Sequence, residues 1–341
     1  MEWTAEVTAG DWLRERLDDP WRGTMHDVVP HGFDAYARVF HPVERERPVG
    51  RPWPADGESR AWEDFLAQQP EVDTEHVTWQ QTADAFGTTM HPLAQWRRLV
   101  RGTDPYGDGG SPRDDEGWRY SGPQEGGLDS ETLTELTSLL IGATATPDAG
   151  YAAVWEGWGD LVGGMRTPPS RSAFFGSGDG LPRRYAEYSA EDSPDQARHR
   201  AVMYRSLKDV FNNPFRRPTW HPGILSDEIS RGPRLRMPNR DYVLFRGAVS
   251  TFVDPKWAHE VPWSSDHAAD DEQRWRRPAD APALVWPDDH AWVMVSEVDW
   301  DFTVVAGSTE LVNAIVADPR LEAASITEGA DLSWNDDEVN R

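Results

Sequence analysis

Residues 291–319 read AWVMVSEVDWDFTVVAGSTELVNAIVADP, and this stretch decides the fold class. Ala291–Val298 and Thr303–Gly307 are short apolar runs rich in valine, the composition of strands. Ser308 stands where a helix N-cap belongs, with a hydroxyl suited to accept a first-turn amide. Leu311, Val312, Ile315 and Val316 then line one helical side, and Asp318-Pro319 ends the run. Strands feeding a packed helix predict a mixed α+β chain.

Working outward, Asp241–Phe245 and Tyr151–Trp155 add strands, and Ser130–Leu140 reads as a helix with Ser130 as its cap. Residues 1–101 read as mainly helical, through Trp3–Leu17, Phe33–Phe40, Ala61–Gln69, Thr78–Phe86 and His91–Arg101. Phe33–Phe40 is the ambiguous one. Phe33, Tyr36, Ala37 and Phe40 share a helical face, so helix is preferred to strand. Residues 102–127 are rich in Gly and Pro and nearly free of aliphatic residues, which predicts a flexible loop or linker. The expected organisation is a helical N-terminal region (residues 1–101), a linker (102–127), a strand-rich α+β region with a small sheet and packed helix (128–326), and a loose acidic tail (327–341). One elaborated domain is the alternative to two.

Composition narrows the function. The chain has 341 residues, with Lys+Arg 34 against Asp+Glu 59, a net charge of -25. That field disfavours contact with nucleic-acid phosphates or anionic lipid and favours basic partners. It is uneven, because residues 251–341 carry 20 acidic against 6 basic side chains. Salt tolerance or solubility is the bland reading of the same charge. Cys is 0, so disulfides, zinc–thiolate sites and thiol nucleophiles are excluded. Lys208 and Lys256 are the only lysines and neither follows a glycine, which excludes a Walker-type phosphate loop. No stretch approaches the roughly 18 apolar residues of a membrane span. The opening Met1–Val7 is acidic, with no apolar run after it, so the expected compartment is the cytoplasm.

The strongest chemical candidate is Asp288, Asp289 and His290 followed by Glu297, Asp299 and Asp301. If 297, 299 and 301 alternate along a strand, they point one way about 7 Å apart. Glu297, Asp299 and Asp301 could then hold a divalent cation through oxygen, or the group could supply a general acid and base. An acidic solvated strand face is the plainer reading. His259-Glu260 with Asp266, His267, Asp270 and Asp271 is a weaker cluster, because no pair of histidines has helix or strand spacing. Gly176-x-Gly178-x-Gly180 lacks the spacing of a phosphate turn. Trp155-Glu156-Gly157-Trp158 and Asp299-Trp300-Asp301 would suit sugar stacking, although tryptophans more often fill cores or interfaces.

Trp286-Pro287-Asp288-Asp289-His290-Ala291-Trp292, Glu297-Val298-Asp299, Ala306-Gly307-Ser308, Asp318-Pro319-Arg320-Leu321-Glu322 and Pro30–Pro42 together resemble an uncharacterised actinobacterial protein family. That family has Trp-Pro-x-Asp-x-x-Trp, Glu-x-Asp and a Gly-Gly-Ser turn, and Ala306 here replaces the first glycine. The resemblance implies no activity. Val29-Pro30 leading into Phe33-x-x-Tyr36 is also similar to the opening of SUKH-superfamily proteins, many of them toxin-immunity factors. This second likeness implies an aromatic-bearing helix and a binding role.

The sequence therefore points to a non-enzymatic, acidic, cytosolic binding protein of immunity or regulatory type, engaging a basic protein partner through its C-terminal region. A carboxylate- or metal-dependent hydrolase centred on residues 288–301 is the alternative, and an assembly protein using tryptophan-rich interfaces is the other. No cofactor is expected beyond a divalent cation.

Overall fold

The computed structural model describes residues 1–18, 23–102, 111–166, 218–238, 240–265 and 278–341. In chain order its first strands are β1 (Glu2–Trp3), β2 (Ala35–Phe40), β3 (Val43–Pro48), β4 (Val72–Val77) and β5 (Arg119–Ser121). Then come β6 (Gly150–Trp155), β7 (Gly164–Arg166), β8 (Thr219–His221), β9 (Leu235–Arg236) and β10 (Asp241–Gly247). The last are β11 (Leu284–Pro287), β12 (Val293–Val295), β13 (Phe302–Gly307) and β14 (Ala323–Ile326). The main helices are α1 (Asp11–Arg14), α2 (Ser59–Ala67), α3 (Trp79–Phe86), α4 (Trp96–Leu99), α5 (Ser130–Leu140) and a helix at Thr309–Ala317.

The chain is mixed α+β. An antiparallel sheet runs β1-β10-β6-β11-β12-β13-β2-β14, with β9 also pairing β10. A three-stranded sheet, β4-β3-β5, lies beside it, and β7 pairs β8. Both faces of the main sheet are covered. On one lie Ala37, Val39, Val154, Phe245, Met294 and Val305, beneath Leu133, Leu136, Leu311 and Ile315 of the α5 and Thr309–Ala317 helices. Burying each such leucine or isoleucine is worth about 1.5–3 kcal/mol. On the other lie Tyr36, Leu244, Trp286, Val293 and Val304, covered by Leu13, Met25 and Val29 from the N-terminal segment and Leu332 from the C-terminal one.

This double burial corrects the reading of Phe33–Phe40. It is strand β2, inserted between β13 and β14, with Ala37 opposite both Val305 and Ser325. All its residues after Ala35 are buried, so no polar alternation betrays the strand. Residues 1–101 thus carry β1 to β4 as well as helices, and β1 and β2 belong to the same sheet as β10 to β14. Trp3–Leu17 is not one helix, because Trp3 pairs with Phe245 and only Asp11–Arg14 is α-helical. His91–Arg101 shrinks to α4. Ala61–Gln69 and Thr78–Phe86 are helices α2 and α3, the second opened by a capping box between Thr78 and Gln81.

Local chemistry corrects one further expectation and adds contacts to two other stretches. The α5 cap is Asp129, not Ser130: its carboxylate accepts the amides of Glu131 and Thr132, both at 2.9 Å. The stretch expected as a flexible linker contains β5, and Trp118 and Tyr120 within it are buried in a third core with Trp79 and Trp96. Asp337 anchors the tail. Asp337 is fully buried and its carboxylate accepts from Gln95 N at 3.0 Å and His91 Nε2 at 2.9 Å. Among the described residues, no helix is long and apolar enough to cross a membrane.

Candidate functional site

The six residues singled out at 288–301 do not converge. The strand expected through Val298 stops at Val295, and the chain turns, with Trp300 N donating to Glu297 O at 2.9 Å. Glu297, Asp299 and Asp301 therefore share no strand face. Glu297 and Asp299 instead close on a single guanidinium: Arg240 Nε donates to Glu297 at 2.6 Å and Nη2 to Asp299 at 2.6 Å. The guanidinium also lies over Trp155, 4.9 Å from its ring centre. The cavity beside Arg240 and Glu297 measures about 10 Å³, room for about one water and no substrate.

The other three sit apart. Asp288 pairs with Arg246 at 3.1 Å. Asp289 ties down the loop before β6, accepting from Thr144 Oγ1 at 2.8 Å, Ala145 N at 2.7 Å and Ala291 N at 3.1 Å. Burial would raise its carboxyl, but the bonds from Thr144, Ala145, Ala291 and Thr146 outweigh that and hold it below its ordinary value. His290 adopts a left-handed backbone, φ 54°, and stacks on Trp12 at 4.2 Å. Burial, then Arg16, lowers its pKa.

Asp301 immediately precedes β13, in the field of Arg38. Burial pushes its carboxyl up to about 6, with Arg38 opposing. Arg38 comes from the middle of β2 and is fully buried among aromatic rings, its guanidinium 3.9 Å from the centre of Phe302 and 4.8 Å from that of Phe40. Nη1 donates to Pro92 O at 3.1 Å, while Nε and Nη2 have no hydrogen-bond partner among the described residues. Nearby His41 is buried too. Its Nδ1 donates to Gln124 O at 2.6 Å and its Nε2 accepts from Thr303 Oγ1 at 2.9 Å, so both nitrogens are hydrogen-bonded within the fold. Burial drives it down to about 4, so the ring is neutral. The network fastens the loop around Gln124 to the sheet.

The tryptophans mostly fill cores: Trp79, Trp257, Trp286 and Trp292 are fully buried, and Trp300 stacks on Phe302 at 4.5 Å. Gly176–Gly180 and Asp266, His267, Asp270 and Asp271 lie outside the described residues.

The small sheet supplies what the sequence reading missed. Arg45 and Arg47 of β3 flank Trp118, at 4.3 and 4.4 Å from its ring centre, and Arg119 of β5 lies 4.3 Å from that of Trp53. Arg47, Arg51, Arg113 and Trp53 line an open groove of about 570 Å³, with Asp73 and Glu116 also on its walls. The available signal is the alternation Val43-Glu44-Arg45-Glu46-Arg47, which places both arginines on one strand face.

Comparison with protein-family models, curated proteins and solved structures gave no match, so the functional reading rests on this chain's own geometry.

Proposed function

We propose that the protein is a non-enzymatic, cytoplasmic binding protein that engages a basic protein partner through the acidic surface of its C-terminal quarter. The observation that carries this reading is the crowding of carboxylates on the C-terminal segment. Burial raises the pKa of Asp336, and the like charges of Asp331 and Glu338 raise it further, opposed by Arg341, which pairs with Glu338 at 2.9 Å, and by His91. A cationic group would relieve that repulsion. Val339 beside them is 58% exposed and offers an apolar contact inside an acidic rim. The hydrolase reading needs Asp288 to Asp301 to face one reacting bond, and their engagement by Arg246, Thr144 and Arg240 weighs against it.

The test is affinity capture from host lysate at low and moderate salt, with the triple variant Asp331→Asn/Asp336→Asn/Glu338→Gln as comparison. One stoichiometric basic protein, lost with salt and with the variant, is the expected result. Capture that ignores the variant would overturn it. Asp299→Asn should leave partner affinity within about twofold, whereas a general base would lose about 100-fold in turnover.

A second reading is favoured by the groove on the small sheet, where Arg47, Arg51 and Arg113 suit an anionic group, with Trp53 in the groove wall. Calorimetric titration with pyrophosphate, compared between wild type and Arg47→Ala, tests it. Equal heats for the two proteins would discard it.

A further inference from the structure

Three side chains from opposite ends of the chain meet where the terminal segments cover the main sheet. His26 is buried, His31 is half-buried and Glu328 is exposed, and each offers a ligand atom within 4.8 Å of the others. The two imidazoles are stacked, ring centres 3.4 Å apart. We propose that His26, His31 and Glu328 bind a divalent transition-metal ion of the zinc class. The inference does not depend on the partner-binding reading.

The outer contacts of each group support this assignment. A histidine that ligates a metal commonly donates its other ring N–H to a carbonyl or carboxylate, which fixes the tautomer and the ring orientation. His26 already has that arrangement, and His31 has it in the tautomer that donates to Asp18. His26 Nδ1 faces Val29 O at 2.8 Å; a carbonyl only accepts, so Nδ1 carries the hydrogen and Nε2 carries the lone pair. His31 Nε2 faces Asp18 Oδ1 at 3.1 Å, leaving Nδ1 directed at Glu328 Oε1, 3.3 Å away. That same Oε1 lies 3.4 Å from the Tyr36 hydroxyl. Asp18 is thus a positioning residue for His31, as Val29 is for His26 and Tyr36 for Glu328.

Two imidazole nitrogens and one carboxylate oxygen form a mixed N/O set. Such a set suits Zn²⁺, Co²⁺ or Ni²⁺, whereas Mg²⁺ and Ca²⁺ prefer oxygen alone. Three protein ligands leave a fourth tetrahedral position for water.

Loading requires one exchange. His26 Nε2 accepts the Gly329 amide at 3.1 Å, so the ion must displace that N–H and splay the stacked rings. Gly329 sits at φ +76°, in a turn next to the ligand Glu328, so a shift of that turn moves both groups together. The loaded site would tie the N-terminal cover of the sheet to the C-terminal one.

The test uses the full chain, free of any affinity tag and stripped with chelator, titrated with Zn²⁺ by calorimetry and with Co²⁺ by visible absorption. One equivalent of Zn²⁺ should bind, Co²⁺ should give the intense bands of a tetrahedral site, and the Gly329 amide resonance should shift. His31→Ala and Glu328→Gln, both at accessible positions, should each weaken binding at least tenfold while circular dichroism stays native. Asp18→Asn should weaken it about 10–100-fold. His76→Ala, at an exposed site elsewhere, should change nothing. Absence of stoichiometric Zn²⁺ binding, or binding unchanged by His31→Ala and Glu328→Gln, would overturn the assignment and leave a hydrogen-bonded clasp.

Discussion

The guanidinium of Arg38 stands 3.9 Å from the centre of the Phe302 ring, on neighbouring strands of a sheet covered on both sides. Two of its three nitrogens donate to nothing among the described residues, so attraction to the rings and the field of Asp301 compensate the charge. Replacement by an apolar side chain of similar length removes the desolvation cost along with these attractions. Arg38→Met should therefore change stability by no more than about 1.5 kcal/mol, and Arg38→Ala should cost about 3 kcal/mol through the space it leaves. Urea denaturation of both variants measures the contrast, and equal large losses would contradict it.

Stability against pH should show two opposed titrations. Asp301 titrates higher in the fold, at about 6, so its contribution is full below the unfolded value near 3.8 and fades as pH rises through 6. His41 is lowered to about 4, so its contribution is full above 6.5 and fades as pH falls toward 4. Each is on the order of 3 kcal/mol. Between pH 6 and 4 they largely cancel. Asp301→Asn removes one arm, and its stability should fall more steeply than that of wild type as pH drops from 6.5 to 4. Parallel curves would refute the assignment.

Asp337 gathers the amides of Gln95 and Asn340 and the His91 ring at a fully buried position. Burial acts to raise its carboxyl, but those bonds prevail and hold it low. Asp337→Ala strands these donors, at about 1–3 kcal/mol. Hydrogen exchange at the Gln95 amide should quicken and proteases should cut within residues 327–341 before the rest of the chain opens.

Gly126 occupies φ +83°, and a Cβ there would stand 2.7 Å from the Trp158 ring and 2.9 Å from Val298 O. Gly126→Ala combines backbone strain with overlap against backbone oxygen, and should cost about 2 kcal/mol or more. Gly142 has no atom within 4 Å of such a Cβ and lacks the positive φ, so Gly142→Ala should be close to neutral. Thermal melts of the pair separate steric strain from loss of a glycine.

What the sequence reveals is local. Ser308 caps the Thr309–Ala317 helix, its hydroxyl accepting from Leu311 N at 3.2 Å, and the apolar stripe that follows needs no distant partner to be read. Strand β2 is illegible because Tyr36 and Ala37 serve opposite core layers, leaving an apolar run that also fits a helical face. Period two continued beyond Val295 would set Glu297, Asp299 and Asp301 on one face, but the chain turns there. Asp129 is hidden as a cap by the serine next to it. His26 and His31 are five residues apart, a spacing of neither helix nor strand, and Glu328 meets them only through the fold.

The insertion of β2 between β13 and β14 sets the order of events when the chain is made. Residues 35–40 leave the ribosome long before residues 302–326, so an apolar strand with two unsatisfied edges waits for most of synthesis. Contacts so far apart in sequence also slow folding in a test tube. Refolding from denaturant should be slow and yield should fall with protein concentration, with the nascent chain a natural client for chaperones that shield exposed strands.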